Sequence, residues 1–526
     1  MTHTQRSTLV ATGLGLFMIF LDALIVNVAL PSIQTSFDVG EEGLQWVVAA
    51  YSLGMAVFIM TAATLADLQG RRRWYVIGIT VFVLASIVCG IAPSLDVLNI
   101  ARGVQGVAAA TANVTSLALV SAAFPDPKQK AHAIGIWTAI ASVGTAIGPT
   151  LGGVLVEQFG WRSIFLVNVP VGIAVVLLSL RYVAESRDER PRQLDLRGQA
   201  LFAVTVGALA YAVIQGPKNG WGSTLILALF AIATVGTFLF VRAEQRSADP
   251  MMDVSLFRDR EYSLAIGTIC AVMFALYGML LLITQYLQNV RGYTAVQTGL
   301  IILPLSVAIT IVSPLAGRLV GHFGVRRLVL IGLAAIILGL LALVAGGQGN
   351  TAFVMVGLAV AGIGTALCMT PLTTLAMTSV PPQRAGMASG IMSAQRAIGS
   401  TIGFAVLGSV LAAWLAATLD LDLAKLIPGA AERKAITAVI VSHANPHAQI
   451  AEIVPRRPIS HPEPNLQEAI TAAADGDFVQ GIRAGLLVAI AVLSVVLLLG
   501  WRWFPRGTGS LAKAKREQAK LSLTEN

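Results

Sequence analysis

Residues 21–31 read LDALIVNVALP, an aspartate set among Leu, Ile, Val and Ala. From Leu9 to Leu30 no other side chain is charged. At about 1.5 Å per residue that run is long enough to cross a bilayer core of about 30 Å. A carboxylate near mid-membrane costs roughly 2.5–3.5 kcal/mol on insertion scales, so Asp22 is expected to have both a partner and a use.

The whole chain follows the same pattern. Of 526 residues, 56% are hydrophobic and 12% charged, against about a quarter charged in an average soluble domain. Apolar blocks fall at roughly 9–30, 44–66, 75–92, 97–120, 132–156, 163–182, 199–215, 222–241, 263–287, 296–316, 328–346, 351–376, 387–416 and 482–503. Apolar spans of this length are viable as helices, whose backbone hydrogen bonds close internally. The expected class is an all-α polytopic membrane protein with fourteen spans. The first block is too long and too interrupted by polar residues for a cleavable signal, and it is expected to stay in the membrane.

The net charge of +9 invites a nucleic-acid reading, but its placement argues for topology. Alternate connections carry the basic residues: Arg71, Arg72 and Arg73; Lys128 and Lys130; Arg181 to Arg197; Arg242 to Arg260; Arg318, Arg326 and Arg327. The tail adds Arg502, Arg506, Lys513, Lys515, Arg516 and Lys520. The short opposite connections hold Arg162, Lys218 and Arg291 against Asp38, Glu41, Glu42, Asp96 and Glu157. This asymmetry predicts that both termini of the multi-pass protein are cytoplasmic. Arginine far exceeds lysine and alanine is abundant, which points to a GC-rich bacterial genome and hence the cytoplasmic (inner) membrane. Cys89, Cys270 and Cys368 all fall within spans and read as small apolar fillers, without metal-ligand spacing.

Two segments recur. ATLADLQGRRR (63–73) returns as GRLVGHFGVRR (317–327), 254 residues on, and GIWTAIASVGTAIG (135–148) as GIMSAQRAIGSTIG (390–403), 255 on. They imply a six-helix bundle over 1–185, two inserted helices with their linkers over 186–260, and a second bundle. The first five helices of that bundle span 261–416 and its last helix 481–503, with a basic tail at 504–526. Repeated bundles with a site between them are a transporter plan. Residues 417–480 form a long outer connection rich in proline, with His443, His447 and His461; it reads as a flexible or partly helical loop, with a cap, a partner site or a histidine pH sensor as the alternatives.

LDALIVNVALPSI (21–33), LADLQGRR (65–72), LNIARGVQGVAAA (98–110), GTAIGPTLGG (144–153), WRSIFLVNVPVG (161–172) and YLQNVRGY (286–293) together resemble the fourteen-helix drug:proton antiporter branch of the major facilitator superfamily. The resemblance implies the major facilitator fold, two six-helix bundles plus two extra central helices. It departs from the family pattern at Ala63, Leu68 and Gly321, so the first copy of the loop motif is the expected gating element. Proton-coupled export of lipophilic, often cationic or zwitterionic drugs follows as the expected activity. A dedicated exporter of an endogenous lipid, siderophore or metabolite is the alternative on the same fold, and a receptor that moves nothing is a third class.

The resemblance gives Asp22 and Arg102 the proton-coupling role. Asp22 lies nine residues before Pro31 and Arg102 nine after Pro93 on a span of opposite direction, which puts both roughly 13 Å below the outer boundary. A fixed pair that merely locks two helices is the bland alternative. Asp67, Gly70, Arg71 and Arg72 are the expected cytoplasmic gate. Gly144, Gly148, Pro149 and Gly152, with Gly153, are the expected hinge or seal of the fifth span. Asn27, Gln105, Asn113, Tyr277, Gln285, Gln395 and Arg396 are candidate substrate contacts. Expected partners are small-molecule drugs, protons and membrane lipids, and no nucleic acid. No nucleophile–base pair, metal constellation or GxxxxGK[ST] loop stands in the sequence, so neither an enzyme nor an ATP-driven pump is expected. The proton motive force is the expected drive, with no cofactor.

Overall fold

The computed structural model describes the chain apart from residues 125, 188–193, 248, 347–349, 381–384, 425, 428–432, 434–465 and 505–526. The prolines and histidines noted in the 417–480 connection, and the tail from 505, lie outside the described residues. The described residues form helices and turns, with no strand.

In chain order the first half holds α1 (His3–Phe37), α2 (Glu41–Gln69), α3 (Arg71–Gly90), α4 (Leu95–Ala123), α5 (Pro127–Phe159), the short α6 (Ser163–Leu166) and α7 (Asn168–Tyr182). Then come α8 (Leu196–Asn219) and α9 (Thr224–Glu244), and the second half with α10 (Arg260–Gln285), α11 (Ala295–Gly346), α12 (Thr351–Thr378), α13 (Ala385–Leu423) and α14 (Leu466–Trp503). Among the described residues twelve helices are long and apolar enough to cross a membrane. One of them, α11, has 52 residues and turns at Gly324, so it carries two of the expected blocks, 296–316 and 328–346. Many starts are fixed by side-chain caps: Ser94, Asp259 and Asn350 each accept a bond from a backbone N–H of the first turn.

Two boundaries differ from expectation. The first helix does not end at Pro31 but runs on to Phe37, because Ile33 and Gln34 are buried and packing outweighs the one donor that proline removes. The last helix starts at Leu466, fifteen residues inside the stretch assigned to the outer connection.

The internal repeat is visible in the packing. A Cβ on Gly144 of α5 would stand 2.6 Å from the Phe17 carbonyl oxygen of α1, and Gly399 of α13, 255 residues later, abuts the Cys270 carbonyl of α10 in the same way. Each half thus clamps its fifth span against its first through bare glycine, where backbones approach closely. The halves meet through the same two helices. Gly153 of α5 faces the backbone of Ala295 and Val296 in α11, and its repeat counterpart Gly408 of α13 faces the Gln45 side chain of α2. Gln288, in the π-type turn Tyr286–Val290, donates to the Val28 carbonyl across the halves at 2.9 Å. These contacts shut one end of the bundle. The other, here called the basic end, carries the turns at Gly70 and Gly324, whose φ values are +115° and +75°.

The inserted α8 runs along the seam between α2 and α13. Gln199 accepts from Thr61 Oγ1 at 2.5 Å and donates to the Val57 carbonyl at 2.8 Å. Further along, Tyr211 packs on Trp46 at 5.7 Å between ring centres, and Ser409 donates to the Val213 carbonyl at 2.9 Å.

Candidate functional site

Asp22 and Arg102 meet at the centre of the first half. Arg102 Nη1 lies 2.6 Å from Asp22 Oδ2, and neither side chain has any exposed surface. Such a pair is tolerable when further hydrogen bonds complete it. Arg102 Nε donates to the Val47 carbonyl at 3.1 Å, and the guanidinium lies over the Tyr51 ring, 4.3 Å from its centre, with Phe165 at 5.6 Å. Gln105 accepts from Arg102 Nη1 at 2.6 Å and donates to Asp22 Oδ1 at 3.0 Å and Ser86 Oγ at 2.8 Å. Asn168 donates to Asp22 Oδ1 at 2.8 Å. The carboxylate therefore holds three donor residues from α4 and α7, all on charge-assisted bonds.

The sequence builds this locally. Arg102 and Gln105 are three apart on α4 and share a face. Between and beside them, Gly103 and Gly106 carry no side chain, which lets α2 press its backbone at Ala50 and Tyr51 against α4.

At the basic end Asp67 pairs with Arg71 at 2.8 Å, one turn on. The turn between them needs Gly70: a Cβ there would lie 2.8 Å from Glu185 Cδ, on a backbone that L-residues rarely adopt. The Glu185 carboxylate caps the start of α3, accepting from Arg72 N at 2.9 Å and Arg73 N at 3.1 Å, where the helix dipole favours an anion. Arg72 Nη1 holds the Val183 carbonyl at 3.2 Å. The second copy keeps the shape and loses the charge pair: Arg326 holds the Trp501 carbonyl, while Gly321 stands where Asp67 does.

A cavity of about 1590 Å³ lies between the halves and reaches the basic end, where Asp67 and Arg71 form part of its wall. Leu16 and Phe20 of α1 face it, but Asp22 does not: two residues on, it points roughly 200° further round the helix, toward α4. Of the candidate contacts, Asn113 and Arg396 line the cavity. Gln105 is spent on the ion pair. Asn27 is buried and donates to the Leu24 carbonyl. Gln285 is buried and accepts from Asn289 at 2.6 Å. Tyr277 packs on Phe404 at 5.9 Å, and Gln395 is half-buried outside the cavity wall. Gly144, Gly148 and Gly152 line α5 against α1, and the Pro149 carbonyl abuts Gly299 of α11.

Residues 12–404 match the Major Facilitator Superfamily. The chain belongs to that superfamily. Multidrug resistance protein Stp of Mycobacterium tuberculosis is 62% identical over 524 residues, covering 100% of this chain and 96% of that one. Drug efflux pump JefA of the same species is 45% identical, covering 97% and 100%. The tetracenomycin C resistance and export protein of Streptomyces glaucescens is 33% identical over 77% of this chain and 76% of that one. Among solved structures, a bacterial homologue of the human lysosomal transporter Spinster, described as inward-facing and occupied, has the same fold at a TM-score of 0.67 and 17% identity, covering 96% and 98%. The chain is a multi-pass membrane transporter.

Sequence reasoning missed several residues of the transporter's site. Asn168 sits in plain view in WRSIFLVNVPVG, and Ser86 is a polar residue within the third span. Neither advertises which way it faces. Glu185 lies just past the sixth span, and nothing in its sequence links it to the turn at Gly70.

Proposed function

We propose that the protein exports lipophilic, often cationic or zwitterionic drugs across the cytoplasmic membrane by proton antiport and alternating access. The proton motive force drives it and no cofactor takes part. The names of the relatives support drugs as the cargo. The basic end is then cytoplasmic, as are both termini, and the cavity in this conformation loads from the cytoplasm.

The observation that carries the reading is the sealed Asp22–Arg102 pair beside the helix that closes the far end. Leu21, Leu24 and Ile25 flank Asp22 and press on Gly148 and Gly152 of α5, and α5 in turn forms the seal with α11. A proton arriving on Asp22 removes the charge that strengthens its bonds to Arg102, Gln105 and Asn168, which loosens α1 from α4 and α7 and shifts the surface on which α5 rests. Proton entry from outside thereby resets the halves, and release to the cytoplasm restores the ion pair. A membrane potential contributes about 2.3 kcal/mol per charge per 100 mV.

The test uses inside-out vesicles with an acidified lumen. Wild type should accumulate drug in the lumen. Asp22→Asn should lose gradient-driven accumulation while still exchanging labelled for unlabelled drug. Accumulation by Asp22→Asn at the wild-type rate sinks the proposal.

A further inference from the structure

One charge on the cavity wall has no task in the ion-pair machinery. Arg396 stands on α13 eleven residues from Ala385, so its Cα lies about 16 Å along the helix, near half the thickness of a 30 Å core. The side chain lines the cavity. Its Nη2 donates to Thr373 Oγ1 of α12 at 3.0 Å, and its Nε is buried with no hydrogen-bond partner. Among the described residues no carboxylate pairs with it. A guanidinium has five N–H donors, no acceptor, and keeps its charge. At membrane depth an unneutralised one is costly and marks a functional position.

Packing does not ask for it. The repeat sets Arg396 opposite Ala141, 255 residues earlier, and Ala141 lines the same cavity from α5. One half presents a methyl group where the other presents a cation. The deep acid of the first half, Asp22, is sealed away with Arg102 and does not neutralise the wall. The acids that do reach the cavity enter at its basic-end rim: Asp67, already held by Arg71, and Asp195, Glu244, Asp249 and Asp253 from the connections around α8 and α9. Arg258 reaches the same rim. The cavity is thus acidic at its mouth and basic within.

We infer that Arg396, steadied by Thr373, is a subsite for an acidic group of the cargo, a carboxylate or similar oxyanion on a lipophilic zwitterion. The inference rests on the export reading above and narrows its cargo. The carboxylate supplies the missing counter-charge at the guanidinium, a strong pairing for this fork of donors. The cationic end of the same molecule faces the acidic rim.

Rhodamine B, a carboxylate zwitterion, and its ethyl ester, a cation of the same shape, test this by fluorescence polarisation. The full-length protein is held in nanodiscs of phosphatidylcholine, whose lipid adds no net anion. Wild type should bind the acid more tightly than the ester. Arg396→Gln should weaken the acid about ten-fold to a hundred-fold and leave the ester no weaker, while Arg396→Lys keeps the preference. A wild type that binds the ester as tightly as the acid overturns the inference, whatever the variants do, and so does a preference that survives Arg396→Gln. Binding at equilibrium needs no gradient, so a failure of proton coupling leaves this result standing on its own.

Discussion

Removing one member of the Asp22–Arg102 pair should harm the fold more than removing both. In Arg102→Met the carboxylate keeps Gln105 and Asn168 but loses its counter-charge at zero exposure. In Asp22→Leu the guanidinium keeps the Val47 carbonyl, the Gln105 oxygen and the Tyr51 ring, again without a counter-charge. Each single change should cost about 3–5 kcal/mol, the cost of leaving one buried charge alone. In the double variant the space fills with apolar side chains of similar size. Gln105 Nε2 still donates to Ser86 at 2.8 Å, and Asn168 lies 3.4 Å from the same hydroxyl. Replacing a whole buried pair with apolar side chains is often close to neutral, so the double loss should be smaller than either single loss and fall short of their sum by more than about 3–5 kcal/mol. Unfolding of the full-length protein in detergent, followed by tryptophan fluorescence, measures all four corners of the cycle. The double variant should melt above at least one single variant and still fail to transport. Additive losses would refute the reasoning, because they would mean that the two charges do not depend on one another.

Gly70→Ala should destabilise by about 1–2 kcal/mol, since it strains a positive-φ turn and pushes a methyl at the Glu185 carboxylate; the melting midpoint and the initial uptake rate should both fall. Gly153→Leu drives a side chain into the Ala295–Val296 backbone at the closed end. A cysteine reporter at the start of α11 should then label faster from the far side of the membrane than in wild type, and unchanged labelling would count against the seal.

The spans and the repeat were legible because hydropathy and spacing are one-dimensional quantities. Counting nine residues from Pro31 and from Pro93 put Asp22 and Arg102 at one depth, and the structure joins them at 2.6 Å. Depth is what counting gives; azimuth is what it withholds. Asn113 and Arg396 face the cavity while Asn27 and Gln285 turn away from it, and nothing in their immediate sequence says so. That choice belongs to the rotation of each helix, set by glycine contacts with partners more than a hundred residues away, as at Gly399 on Cys270. Asn168 and Ser86 escaped for the same reason. Helix ends were misjudged where burial overrode a local signal, as at Pro31.

The position of α8 has a consequence for how the cavity meets the lipid. Two bundles that rock about a central cavity leave two vertical slots facing the lipid, one at α5 and α11, the other at α2 and α13. Through Gln199, Tyr211 and Val213 the inserted helix lies along the second slot for much of its height. An added helix thus screens the cavity from the lipid along that slot, a cover that the α5 and α11 flank lacks among the described residues.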